Sequence, residues 1–226
     1  MWISGSYHFP STFSYKIPDF SMYYAASTPI PGPSTFKLAM ISAFISSNRD
    51  LEKASALFEG IKTSTVLFDL PNRLTVYKAF IKRLKKKRLE PGFDKSFGIR
   101  EYVIFDGILT IYIDISDETA DYALPAMKNI RYLGSSDSIC YCLEVNEKVE
   151  KPDFKRLARP HFEEKTNGII FQLKDFTKET TFEKINRYGH EKLVPERDVK
   201  IIPYILPLKV DRRGKNFITY KTLKIE

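Results

Sequence analysis

Cysteine occurs twice in this chain of 226 residues, histidine three times, tryptophan once and glutamine once. Cys140 and Cys142 are the whole thiol complement. Spaced i, i+2 on a strand-like stretch, they point to one face and are poor disulfide partners. They fit small buried hydrophobes in a reducing cytoplasm. With His8, His161 and His190 scattered, no zinc ligand set is available, and neither a metal nor a cofactor is expected. Long apolar runs are missing too. Leu38–Ile45 and Val103–Ile115 are too short or too interrupted to span a bilayer, so no membrane partner is expected. The opening Met1-Trp2-Ile3-Ser4-Gly5 lacks the basic and apolar regions of a secretion signal, which points to a cytoplasmic protein. A single glutamine fits a heat-adapted source. Also missing are the phosphate-cradling G-x-x-x-x-G-K-[ST] loop, G-x-G-x-x-G, H-E-x-x-H and G-x-S-x-G.

The residues present are sufficient for a packed core, with 43% hydrophobic and 28% charged. Ile3, Gly5, Tyr7 and Phe9 alternate with Trp2, Ser4, Ser6 and His8, the period of a strand. Pro29-Ile30-Pro31-Gly32-Pro33 forms a constrained loop, and Ser34-Thr35 then supplies N-cap residues for an apolar helix over Phe36–Ile45. A short helix is expected over Leu51–Phe58, with strands at Thr63–Asp69 and Leu74–Tyr77. Arg100–Ile115 is β-rich but broken by Asp106-Gly107, which suits either a hairpin or one bulged strand. Asp117–Asn129 reads as a helix weakened by Pro125, and Ser138–Val145 as a strand. The order β-α-β-β-α-β is ferredoxin-like. The expected fold is therefore α+β: an RRM-like domain over residues 1–145, then a smaller β-rich region over 146–226. Strand candidates in that second region are Gly168–Leu173, Lys200–Pro207 and Phe217–Ile225.

Lys and Arg number 36 against 28 Asp and Glu, a formal net charge of +8. The excess is concentrated. Residues 79–100 hold Lys82, Arg83, Lys85, Lys86, Lys87, Arg88, Lys95 and Arg100 against only Glu90 and Asp94. Such a run is ordinarily a solvated face. Here Pro91-Gly92-Phe93 and Ser96-Phe97-Gly98 follow at once, and cations interleaved with aromatics on a mobile loop suit phosphate neutralisation and base stacking. The start of the first helix is a second candidate, because free N–H groups at Ser34, Thr35 and Phe36 can face a phosphate; a plain N-cap is the alternative.

These residues carry a family resemblance. Phe9-Pro10-Ser11-Thr12-Phe13-Ser14-Tyr15, followed by Pro29-Ile30-Pro31-Gly32-Pro33-Ser34-Thr35-Phe36, resembles the start of the fifth CRISPR-associated (Cas) protein family of the RAMP superfamily. Ile99-Arg100-Glu101-Tyr102-Val103-Ile104 resembles that family's strand after its thumb. Tyr132-Leu133-Gly134-Ser135-Ser136-Asp137-Ser138 resembles the segment leading into its last core strand. The resemblance covers residues 1–145 and fits type I-A or type I-D members. It implies an RRM-like domain whose basic thumb, near 79–100, lies between the second and third strands. It also implies a subunit of a type I Cascade complex that caps the backbone and holds the 5′ repeat handle of crRNA. The implied partners are the handle, the backbone subunit, the large subunit and, in some complexes, target DNA near the protospacer-adjacent motif. Carried over by position, handle contacts fall to Ser34, Thr35 and Lys37, to Lys82, Arg83, Lys85, Lys86, Lys87 and Arg88, and to Arg100. Tyr15, Lys16, Tyr23 and Tyr24 are candidates for stacking or phosphate contact, with packing against the core or a partner as the alternative.

The resemblance leaves two further classes in play: a metal-independent endoribonuclease cutting precursor CRISPR RNA, and a generic single-stranded RNA-binding module. The basic segment has no histidine to serve as general acid or base, and Arg212-Arg213-Gly214-Lys215-Asn216 reads as a β-turn with basic flanks. A non-catalytic subunit is the expectation.

Overall fold

The protein is described from a computed structural model over residues 1–17, 24–161 and 167–223. The chain opens with strand β1 (Trp2–His8), and a two-residue strand β2 (Tyr24–Ala25) precedes helix α1 (Pro33–Asn48). The N-cap of α1 is Gly32, with no side-chain cap and proline in its first turn. Ser34 and Thr35 are thus helical residues, not the capping pair expected from the sequence. Pro33 takes the first helical position because its missing N–H costs nothing there. The Phe36 N–H is not free either; it donates to the Gly32 carbonyl at 3.1 Å. Helix α2 (Leu51–Ile61) follows, capped by Asp50, whose carboxylate accepts from the Lys53 N–H.

Next come β3 (Val66–Asp69), β4 (Arg73–Lys86), β5 (Phe93–Asp106) and β6 (Leu109–Asp114). Helix α3 (Asp117–Lys128) is capped by Ser116 and carries Pro125 without being broken, and β7 (Tyr141–Val149) closes this half. Four of these strands form one sheet in the order β3-β6-β1-β7, with every neighbouring pair antiparallel. Ile3, Tyr7 and Phe9 are buried, as the period-2 pattern predicts. The Tyr7 ring meets Phe36 of α1 edge-on at 6.2 Å, and its hydroxyl donates to the Met127 carbonyl of α3. The two helices therefore cover the same face of the sheet.

The Asp106-Gly107 break is neither of the two alternatives. β5 and β6 do not pair; Gly107, at φ +126, turns the chain from one sheet into another. β5 pairs instead with β4 over fourteen positions, from Arg73↔Asp106 to Lys86↔Phe93. This long hairpin belongs to a five-stranded sheet ordered β11-β12-β4-β5-β2.

The remaining elements are β8 (Arg159–Pro160), β9 (Ile169–Phe176), a single-turn helix α4 (Phe182–Ile185), β10 (Val199–Leu206), β11 (Leu208–Arg213) and β12 (Phe217–Thr222). The strand candidates of this region materialise, and the region is tied to the first 145 residues by hydrogen bonds and strand pairing. β8, β10 and β9 make a small sheet whose β9 packs on α1, and Phe68 of β3 exchanges backbone hydrogen bonds with Ala158. Tyr204 of β10 donates to the Val66 carbonyl at 2.9 Å, and β12 pairs with the base of β4. A single buried cluster runs from Ile3 to Tyr220, so the C-terminal third completes the core begun by the first.

Candidate nucleic-acid interface

Beyond Lys78 the hairpin leaves the body of the protein. β12 reaches β4 only as far as Tyr77, its turn adds one hydrogen bond from the Lys78 N–H to the Asn216 carbonyl, and β2 reaches β5 only at Ile99 and Arg100. From Ile81↔Gly98 to Lys86↔Phe93 the two strands pair only with each other. At about 3.4 Å per residue that ribbon extends roughly 20 Å. The expected basic segment is therefore a paired β-ribbon closed by a turn at residues 87–92, not an irregular loop.

Pairing sorts its side chains onto two faces. Along β4, residues 78, 80, 82, 84 and 86 share one face, opposite 101, 99, 97, 95 and 93 of β5. Beyond Lys78↔Glu101 this face is a chequerboard: Phe80 beside Ile99, Lys82 opposite Phe97, Leu84 opposite Lys95, Lys86 opposite Phe93. Its apolar members are unusually bare for their type, with Phe80 69%, Leu84 67%, Phe93 65% and Phe97 55% exposed. Phe80 and Phe97 lie nearly parallel with centroids 6.0 Å apart. The same face continues inward to buried Leu74, Val103 and Phe105, so the exposed stripe is the core side of the sheet running out past its cover. The opposite face carries Ile81 and Lys85, and nearer the body Tyr77 stacked on Tyr102 at 5.8 Å; the side chain of Arg83 lies outside the described residues. Lys87 and Arg88 sit on the tip, where Lys87 approaches Glu90 at 3.3 Å. The consecutive basic run thus splits three ways: Lys82 and Lys86 among aromatics, Lys85 on the polar side, Lys87 and Arg88 at the end.

The other candidates fare differently. Arg100 lies on the polar face, 3.4 Å from the Asp137 carboxylate and over the Tyr102 ring. Tyr24 sits at the hairpin base, its hydroxyl donating to Glu101 and its ring 5.3 Å from the Lys78 ammonium. Burial and the Glu101 carboxylate push the Tyr24 hydroxyl far above its ordinary pKa. Lys16 is exposed in a bridge with Ser27, and Tyr15 is half-buried with its N–H held by the Ser27 hydroxyl. Tyr23 lies outside the described residues.

Lys37 requires a correction. It is fully buried, with its ammonium 2.7 and 2.9 Å from the two Asp175 oxygens and 2.9 Å from the Lys62 carbonyl. Burial pushes the lysine down and the aspartate up in pKa, against their mutual attraction. A side chain so enclosed cannot meet a handle phosphate; its role is to tie α1 to β9. Ser34 and Thr35 are also buried, and the Thr35 hydroxyl finds no hydrogen-bond partner. The Asp175 that holds Lys37 lies on β9, 138 residues further along the chain, so nothing local to α1 reports that the lysine is enclosed.

Two free thiols, Cys140 buried and Cys142 partly so, stand beside the last core strand; burial pushes Cys140 up to about 12, so it is no nucleophile at neutral pH. Among the described residues no group of three or more His, Cys, Asp or Glu gathers, and no helix is long and apolar enough to cross a membrane.

No model of a known protein family matches the chain. A CRISPR-associated protein Cas5 from Archaeoglobus fulgidus, however, is 37% identical over 197 residues, covering 83% of this chain and 85% of that protein. The chain belongs to the Cas5 family. A solved structure, the crystal structure of a CRISPR protein from Archaeoglobus fulgidus, matches with a TM-score of 0.54 at 11% identity. It covers 99% of this chain and 92% of the other. At that identity the likeness speaks for the fold alone, and it extends through the C-terminal third of this Cas5-family chain. That third added little to the resemblance read from residues 1–145.

Proposed function

We propose that this Cas5-family chain is a non-catalytic crRNA-binding subunit of a type I Cascade complex. It holds the 5′ repeat handle on the chequerboard face of the β4–β5 hairpin. The observation that carries this reading is the alternation of ammonium groups with bare aromatic rings on a ribbon free of the body. Lys82, Lys86 and Lys95 neutralise phosphates while Phe80, Phe97 and Phe93 receive unstacked bases. An ordinary solvated charge run would not leave three phenylalanines uncovered between its lysines. The strand order β3-β6-β1-β7, with helices on one face, supports a ferredoxin-like arrangement in which the hairpin is inserted between the second and third core strands. Backbone and large subunits of the assembly are the partners this reading implies, with target DNA near the protospacer-adjacent motif a further one.

Chemistry is not required of the site. His8 on β1 packs its ring against Tyr141, His161 follows β8 and His190 follows α4, so the hairpin itself carries no imidazole to move a proton. The test is binding of repeat 5′-handle RNA against a scrambled oligonucleotide of equal length, with the same RNA incubated in EDTA. Tighter binding of the handle without cleavage is expected. Equal binding of both sequences points to a generic single-stranded RNA module, and a product ending in a 2′,3′-cyclic phosphate points to the endoribonuclease.

A further inference from the structure

The turn between β11 and β12, Arg213-Gly214-Lys215-Asn216, lies far from the basic hairpin in sequence but against its base in space. The Lys78 N–H donates to the Asn216 carbonyl at 2.8 Å, and Val76 of β4 pairs with Ile218 of β12. Together they enclose a cleft of about 150 Å³ whose walls include Ser27, Lys78, Glu101, Arg213, Lys215 and Asn216. Three cations face one carboxylate there. That carboxylate is already engaged, accepting from the Tyr24 hydroxyl and, at 3.0 Å, from the Ser27 N–H. Arg213 and Lys215 are exposed, and no ion pair holds either among the described residues. Lys78 and Glu101 belong to the chequerboard face, so the cleft is the inner end of the same track, two residues along each strand from Phe80 and Ile99.

The turn is built to hold its shape. The Gly214 N–H donates to the Phe217 carbonyl at 2.9 Å, and a Cβ on Gly214 would lie 2.4 Å from the Phe217 ring. Glycine is the residue that lets this ring close over the turn. A rigid turn that presents a guanidinium and an ammonium costs little ordering when an anion arrives.

We infer that this cleft is an RNA phosphate site, formed by Lys78, Arg213 and Lys215 and anchoring the strand where it leaves the hairpin. The inference rests on the handle-binding reading and extends it to a segment that the sequence assigned no role. A phosphate can come from the 5′ terminus or from an internal linkage. The experiment therefore uses the full chain with handle RNA carrying either a 5′-phosphate or a 5′-hydroxyl, titrated between 50 and 200 mM salt. For Arg213→Ala with Lys215→Ala, affinity should fall about tenfold, and the slope of log affinity against log salt should flatten by about 0.7 per lost phosphate contact. Loss confined to the 5′-phosphate RNA identifies a terminal phosphate; equal loss for both identifies an internal one. Gly214→Ala should weaken binding with all three cations retained. Unchanged affinity and slope in the double variant, while Lys82→Glu with Lys86→Glu loses RNA, overturns the site and spares the hairpin. If neither variant affects binding, both readings fall.

Discussion

Lys37 and Lys82 are the same residue type and were marked by the same resemblance, yet one is wholly enclosed and the other stands bare on a ribbon. What separates them is cover. The start of α1 is roofed by β9, which brings Asp175 to the lysine, whereas nothing among the described residues roofs the hairpin beyond Lys78. A cation under a roof is a tie between elements; one outside it is available to a ligand. The difference extends to the aromatics. Phe36 and Phe13 are buried at full depth, while Phe80 and Phe97 remain half to two-thirds exposed although they lie on the same side of their sheet as core residues.

The comparison can be broken most severely at its buried end. Asp175→Ala leaves the Lys37 ammonium without its partner and should cost about 3–5 kcal/mol, read as a drop in denaturation midpoint. Lys37→Met together with Asp175→Leu should recover most of that loss. If Asp175→Ala is neutral, the pair is not the tie described. At the exposed end, Lys82→Glu with Lys86→Glu should lower handle RNA affinity about 100-fold, whereas Lys85→Glu on the polar face should lower it far less. Equal effects would dissolve the distinction between faces. Neither change should shift the denaturation midpoint appreciably.

A smaller effect tests the rings. Phe80→Ala and Phe97→Ala should each cost about 1–3 kcal/mol in RNA affinity, and nearly equally for unrelated bases at the stacked position, since every base has a π-face. The smallest concerns a second tie, between α4 and the segment before β10. The Asp198 carboxylate is held below the usual carboxylate range by the Lys184 ammonium at 2.8 Å and then by the Val194 N–H. Its folded pKa is depressed, so its stabilisation is present above the unfolded value near 4 and is lost as pH falls through the folded one. Asp198→Asn should flatten an acid denaturation curve in that range and leave neutral RNA binding unaltered.

Much of this was legible along the chain. The alternation in β1, the helix after Pro33, the helix over Asp117–Asn129 and the charge of residues 79–100 are all local signals, and locality is what sequence periodicity reports. The chequerboard was also legible, since Lys78, Phe80, Lys82, Leu84 and Lys86 already alternate at the period of a strand. A consecutive run of cations hides it, because consecutive residues of a strand face opposite ways. The fate of Lys37 and of Arg213 could not be read. Each is decided by a strand more than a hundred residues away, β9 for the first and β4 for the second. Nothing in the neighbouring residues encodes that distance.

The pairing of β12 with β4 has a temporal consequence. Phe217 lies opposite Tyr77 and Lys221 opposite Arg73, so this ladder joins residues about 140 positions apart. A ribosome at roughly ten residues per second emits β4 well over ten seconds before it emits its neighbour. Throughout that interval the inner end of a fourteen-residue strand offers an open row of N–H and C=O groups, an invitation to any other nascent strand. On the ribosome that edge can close only after β12 has emerged. Yields of recombinant protein should therefore respond to translation speed and temperature more strongly than the stability of the finished molecule would suggest.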